Sequence, residues 1–459
     1  MSPIWLQQVQ VLAGVDQPVQ CTDVLLAGEG DPDAGALLAW GEAVQPRALA
    51  LGLRPVQASG WILAPPLVDP HSVLEEPISG RCETLASLRA AAAAGGYGTV
   101  ALLPWAPSWR DRPERLTLPL PSPLSSPLTS PPAGSGAGLE PLHLRLWGSF
   151  SLEGQDQELA PHADQLAAGA VGLAAGAELP PLALLERGLA LGEMGQAPVL
   201  LAPRQASLAA GGFVREGVEA LRAGWPLDPR VSELLPLQSL LALAAQHSGR
   251  SLCLMNLSTA DAVQALRQQA RGPHAPHAPQ ATVGWWHLVA DSGRLAPTEE
   301  GWRVVPSLGG PQDREALVEG LAEGVIGAVA VHHIALDAEE QLLPLDQRRA
   351  GVAGHGAPHG LVLPQLWQEL VQERGWSIHQ LWQVLSWGGS RLLGQEPERL
   401  QPGSRRWLLF DPSARWPFQP QTALSLAANQ PLLGSTITGQ VRATGLAAPG
   451  TWQLTTSAA

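Results

Sequence analysis

From Trp61 onward the chain alternates between short apolar runs and longer segments rich in Ala, Leu, Glu and Arg, and this alternation constrains the fold most. A run of four to eight apolar residues bounded by turn formers reads as a buried strand, and the stretch that follows as its covering helix. The runs fall at 61–70, 99–104, 144–150, 169–174, 198–203, 251–257, 282–289 and 325–332. Eight such strands with interleaved helices are what a (β/α)8 TIM barrel requires, so the expected fold class is α/β, with a barrel over residues 65–395. Residues 1–64 are strand-and-turn in character, as in Val9-Gln10-Val11-Leu12 and Val24-Leu25-Leu26-Ala27-Gly28, and residues 396–459 return to that character at Trp407–Pro412 and Ser435–Val441. The two ends are expected to pair into a small β-sandwich beside the barrel.

Composition excludes several classes of function. The 459 residues are 45% apolar and 15% charged, enough to bury a large core and a smaller one. Lysine is absent, all 28 cationic residues are arginines, and the net charge of −13 comes with no basic block, which argues against nucleic-acid binding. Cys21, Cys82 and Cys253 are odd in number and far apart, so no disulfide framework is expected and a reducing cytoplasm fits. No export signal is read at the N-terminus, and no run approaches the roughly 20 apolar residues of a membrane span. Two segments punctuated by proline, 117–139 and 272–279, read as loops. His274 and His277 in the second sit in a solvated loop rather than a rigid metal site.

The chemistry concentrates just after the first run, in Asp69-Pro70-His71-Ser72-Val73-Leu74-Glu75-Glu76-Pro77. This stretch resembles the end of the first barrel strand in dihydroorotases and related cyclic amidohydrolases, which reads Asp-x-His-x-His-x-Arg-Glu-Pro. Further similarities follow in the family's order. They are Ala91–Val100, Leu103-Pro104-Trp105-Ala106 with Asp111, Pro113 and Glu114, Leu257-Ser258-Thr259-Ala260, Asp313–Leu321, Phe410-Asp411-Pro412 and Leu433–Val441. Together they span nearly the whole chain.

The resemblance implies a zinc held by imidazoles and carboxylates at strand ends, which acidifies a water while an Asp of the eighth strand handles the proton. Here Val73 stands for the second His of the first strand, and a chain without lysine has no carboxylated bridging Lys. Segment 169–176 offers no Asp in its place, Pro203-Arg204-Gln205-Ala206 stands for the fifth-strand His, and Asn256 for the sixth-strand His. His332 occupies the position of the catalytic Asp. Glu75 replaces the Arg that would grip a carboxylate, Trp105 an Asn and Val305 another.

These losses lead to an expected dihydroorotase-like protein of pyrimidine synthesis whose hydrolase activity and zinc are gone. The resemblance then implies a structural or regulatory partner of aspartate carbamoyltransferase, oligomeric and without a nucleic-acid or membrane partner. The alternative is a cyclic amide hydrolase with one zinc on a rebuilt site of His71, His332 and His287 or His333, His333 being also the candidate substrate contact. No general base is found for it. A third reading is a small-molecule pocket in the refilled mouth, with Trp105, Trp285 and Trp286 as filling. Otherwise the histidines serve only as hydrogen-bonding relics, Asp69 supports structure, and Trp367 and Trp382 pack among helices.

Overall fold

The computed structural model describes residues 3–28, 33–75, 83–118, 142–272, 278–296, 301–351, 360–419 and 424–446. Most of the 117–139 segment, the loop imidazoles His274 and His277, and Glu76, Pro77 and Cys82 of the first-strand region lie outside them.

The N-terminal strands β1 (Ile4–Val11), β2 (Gln20–Leu26) and β3 (Leu37–Trp40) pair antiparallel, while β4 (Pro55–Gln57) and β5 (Ile62–Ala64) lie parallel to β1. The run at 61–70, expected as a single strand, carries two. Pro65 and Pro66 have no N–H to give a ladder, so the chain leaves β5 there and begins β6 (Leu67–Ser72) in a different sheet.

Ten further strands follow: β7 (Tyr97–Leu102), β8 (His143–Leu146), β9 (Gly148–Ser149), β10 (Leu173–Ala174), β11 (Val199–Leu201), β12 (Val214–Arg215), β13 (Leu227–Asp228), β14 (Leu252–Leu254), β15 (Gln280–Gly284) and β16 (Ala328–Ala330). β6, β7 and β8 form one parallel sheet, and β9, β10, β11, β14, β15 and β16 another, in that spatial order. β8 and β9 are separated only by Trp147, whose N–H donates to Leu102 O at 2.9 Å, while Gly148 N–H donates to Gly172 O at 2.9 Å. At the other edges, Val73 N–H donates to His333 O (2.8 Å) and His332 N–H to His71 O (3.2 Å). β6 and β7 are buried along their whole length, as expected of strands covered on both faces; β7 is apolar but for Thr99, whereas β6 buries Asp69, His71 and Ser72.

Covering helices begin where side chains can cap them. Thr84 and Ser87 cap the helix Leu85–Ala94, Thr259 caps Ala260–Arg271, and Pro311 opens Pro311–Ala322 with its fixed φ. The run expected as strand 282–289 stops at Gly284, and Trp286–Val289 turns helical instead. Among the described residues no helix is long and apolar enough to cross a membrane.

The C-terminal strands β17 (Leu408–Pro417) and β18 (Thr436–Thr444) complete the N-terminal sheet, β17 pairing with β5. The expected two-layer sandwich is instead one seven-stranded hydrogen-bonded sheet, because β5 bonds β1 on one side and β17 on the other. It curls: Leu37 N–H donates to Ser404 O, and Trp407 Nε1 to Gly35 O, both at 2.9 Å, which brings the chain entering β17 back against the β3 edge. Leu6, Val11, Leu26, Leu63, Trp407 and Leu409 share the resulting core.

Candidate functional site at the strand ends

His71, at the end of β6, and His332, two residues past β16, meet through their Nδ1 atoms at 3.0 Å. Both rings are buried, and they meet edge to face with centroids 5.0 Å apart. Asp69 ties the same two strands together: its Oδ1 accepts from Val331 N at 3.0 Å and its Oδ2 from Ser72 Oγ, which itself accepts from His333 N at 2.8 Å. His333 does not join the imidazole pair. Its Nε2 contacts Glu83 Oε2 at 2.9 Å, and Glu83 also accepts from Ser425 and Ser87. Burial alone would raise the Glu83 carboxyl, but the His333 hydrogen bond and charge and the two hydroxyls hold it at about 2.

The direction of the hydrogen bonds follows from Thr282 on β15. Its Oγ1 accepts from Asn256 N–H at 2.9 Å and lies 3.3 Å from two acceptors, Leu254 O and Asn256 Oδ1. With its one proton on the Leu254 carbonyl, which can only accept, its second lone pair takes the Nε2–H of His71, 2.9 Å away. His71 is then protonated on Nε2 and accepts at Nδ1, and His332 donates from Nδ1. Both nitrogens of His71 are engaged in protein hydrogen bonds. Burial, with the His332 ring beside it, pushes His71 well below its usual range, and burial brings His332 to about 4, so both rings are neutral at pH 7.

A zinc site with an open position needs about three protein donors. Among the described residues no group of three or more His, Cys, Asp or Glu side chains converges to hold a metal. Asp69 and His333 are occupied as above. His287, the remaining candidate ligand, directs Nε2 to Pro306 O at 2.9 Å. A carbonyl only accepts, so His287 carries its proton on Nε2, and its buried Nδ1 is a lone pair without a hydrogen-bond partner. Burial lowers this ring also to about 4. The structure thus brings two of the four sequence-predicted side chains together and engages the other two elsewhere.

Beside this pair lies a cleft of about 290 Å³, open mouth included, lined by Trp105, Ala177, Ala202, Pro203, Arg204, Met255, Asn256, Val305, Pro306 and His332. Trp105 crosses it with Nε1 on Ala175 O at 2.9 Å and its ring 5.9 Å from that of His332. Below it, Arg215 is buried against Asp228 (3.1 Å) and Glu233 (2.7 Å), and Glu233 Oε1 accepts from the N–H groups of Ser258 and Thr259 at 3.1 and 3.2 Å. The Ser-Thr-Ala stretch noted in the sequence is therefore a backbone clasp on a buried carboxylate. Glu75, expected to repel an anion, is paired with Arg349.

Sequence reasoning missed Thr282, Glu83 and Arg204 as participants. Thr282 was visible as a hydroxyl in an otherwise apolar strand, and Arg204 as a charge at a strand end. Nothing local marks Glu83, whose partner His333 is 250 residues away.

No family model matches the chain. A probable dihydroorotase-like protein of Synechocystis is 33% identical over 403 residues, covering 84% of this chain and 88% of that protein. Dihydroorotases of Thermus aquaticus and Solibacter usitatus are 28% and 26% identical, covering 83% and 84% of this chain and 86% of each relative. Among solved structures, an L-hydantoinase (dihydropyrimidinase) from Arthrobacter aurescens matches with a TM-score of 0.71 at 18% identity, covering 98% of this chain and 96% of that one. A D-hydantoinase from a Thermus species gives 0.69 at 18% identity, covering 98% and 95%. These two show a shared fold, parallel α/β with a β-rich part. The length and identity of the Synechocystis match, on a chain whose strand-end motifs run in the family's order, make this protein a member of the dihydroorotase-like family of the amidohydrolase superfamily.

Proposed function

We propose that this chain is a dihydroorotase-like protein that does not hydrolyse dihydroorotate. It serves pyrimidine synthesis in the cytoplasm as a structural or regulatory partner of aspartate carbamoyltransferase, in an oligomer and without resident zinc. The observation that carries the non-hydrolytic reading is that both nitrogens of His71 are in protein hydrogen bonds while, among the described residues, no third donor joins His71 and His332. Hydrolysis also needs a base where this family has an Asp, and His332 there is held neutral and spends its Nδ1–H on His71. The partner rests on the family resemblance alone.

We also infer that the eight parallel strands close into a barrel over residues 65–395, with 1–64 and 396–459 forming the β-rich part. The Trp147 junction and the bonds from His332 and Val73 across the β6 and β16 edges support closure.

The test is elemental analysis of protein purified with zinc supplied, with dihydroorotate turnover on the same sample and co-elution with aspartate carbamoyltransferase in size-exclusion chromatography. Metal-free, inactive protein that co-elutes supports the whole reading, and absence of co-elution removes the partner. Near-stoichiometric zinc lost in His71→Ala favours the rebuilt hydrolase. One observation favours that second reading: the 3.0 Å between the two Nδ1 atoms is near the roughly 3.3 Å that two donors at about 2.0 Å from a tetrahedral zinc would have.

A further inference from the structure

We propose that the cleft beside Trp105 is a binding site for a small carboxylate, held by Arg204 and the amide of Asn256. The site goes beyond the reading above and does not depend on it.

Asn256 is 4% exposed and lines the cleft. Its Oδ1 faces the Thr282 hydroxyl at 3.3 Å, which turns the NH2 group away from that residue. Asn256 Nδ2 is left buried without a partner among the described residues. An unpaired buried donor carries a desolvation cost that a ligand acceptor would recover.

Arg204 faces the same cleft. Its Nε is buried without a hydrogen-bond partner, and no ion pair with a described residue holds the guanidinium. Burial lowers its pKa, and Arg303 nearby is lowered in turn by burial and by the Arg204 charge. Asp228 and Glu178 attract this guanidinium without pairing with it, so the cleft keeps a partly buried cation that a ligand anion can meet directly. The third polar group, His332, is neutral at pH 7, so Arg204 is the one charged residue among those lining the cleft, which suits a monoanion. Trp105, Met255, Val305 and Pro306 supply apolar walls, which suit the carbon end of a carboxylate better than a phosphate wet on all sides. The cleft is small, so the ligand is compact.

Saturation-transfer NMR on the full-length protein, with acetate as probe and EDTA present, tests this. We expect saturation transfer to the acetate methyl, no competition by acetamide, and weaker competition by inorganic phosphate than by unlabelled acetate. Arg204→Gln is expected to weaken acetate binding about tenfold or more, with Arg204→Lys losing less. The urea-unfolding midpoint of Arg204→Gln should be unchanged or higher. Asn256→Ser, which keeps Arg204, should weaken binding less than Arg204→Gln.

Absence of transfer in the wild-type protein, equal transfer in Arg204→Gln, or competition by acetamide equal to that of acetate would overturn the site. Stronger competition by phosphate would overturn the carboxylate assignment. Zinc or turnover found in the same preparation would sink the non-hydrolytic reading while leaving the Arg204 dependence of acetate binding to stand or fall alone.

Discussion

His332 and Asn256 hold the same backbone, φ 49° in each, two residues past the ends of β16 and β14. Both are buried at the rim of one cleft and both reach Thr282, His332 through His71 and Asn256 through its own N–H. Their side chains meet opposite fates. Around His332 the hydrogen bonds close on one another: His71, Thr282, Asp69, Ser72, His333 and Glu83 each find a partner across β6, β15 and β16. Around Asn256 they stay open, with Asn256 Nδ2, His287 Nδ1 and Arg204 Nε all buried and without a partner among the described residues. A closed network rigidifies, whereas an open one stores desolvation cost that a ligand can repay. The difference separates a half of the rim whose polar groups are satisfied within the protein from a half whose polar groups, among the described residues, are not.

The largest effect that would sharpen this contrast is on stability against pH. His332 and His287 sit at about 4 in the folded protein against an ordinary 6.5, so the unfolded chain binds more protons between those values. Their contribution is complete above about pH 6.5 and is lost as the pH falls toward 4, by about 3 kcal/mol for each ring at most. Glu83 titrates in a lower window: its stabilisation is present above about 4.5 and is lost as the pH falls toward 2. Urea unfolding in EDTA from pH 7 to 4 should show a falling midpoint whose slope is reduced in His332→Asn. A flat profile over that range would mean that these rings are not held neutral.

Next in size is Glu83→Ala, expected to cost about 2–3 kcal/mol because it strands His333 Nε2 and Ser425 Oγ in a buried place. On the open half, Arg204→Met removes a charge with no partner and should cost less than 1 kcal/mol or stabilise. Denaturation of the two variants side by side breaks the comparison if their costs are equal.

How much of this was legible follows from how far apart the partners lie. Strands such as Val199–Leu201 and Ala328–Ala330 announce themselves because burial on both faces leaves only apolar residues. The Pro65-Pro66 break was readable in principle, but it was masked by the continuous hydrophobicity of Trp61–Val68. The same masking made Trp285–Val289 look like strand when its backbone turns helical. His71 and His332 could be placed together because each lies at the end of its strand, and the ends of β6 and β16 meet through the His332 N–H bond to His71 O. The tautomers could not, since they depend on Thr282, 211 residues from His71. Local pattern records which face is buried, whereas a hydrogen-bond network records which distant faces meet.

The smallest effect isolates the side chains from the backbone they share. A left-handed φ costs most residues about 1–2 kcal/mol, Asn less, and Gly nothing. Asn256→Gly therefore relieves modest strain and removes an unsatisfied NH2 group, while the Asn256 N–H bond to Thr282 survives in the main chain. The variant should be neutral or more stable by up to about 1 kcal/mol. His332→Gly relieves more strain yet removes the donor to His71 Nδ1, leaving that buried nitrogen unpaired and a space beside Trp105. It should lose about 1–2 kcal/mol despite the backbone gain. Equal and positive changes in both variants, read as urea midpoints, would mean that strain rather than hydrogen bonding sets the energetics of the rim, and the distinction between its closed and open halves would fail.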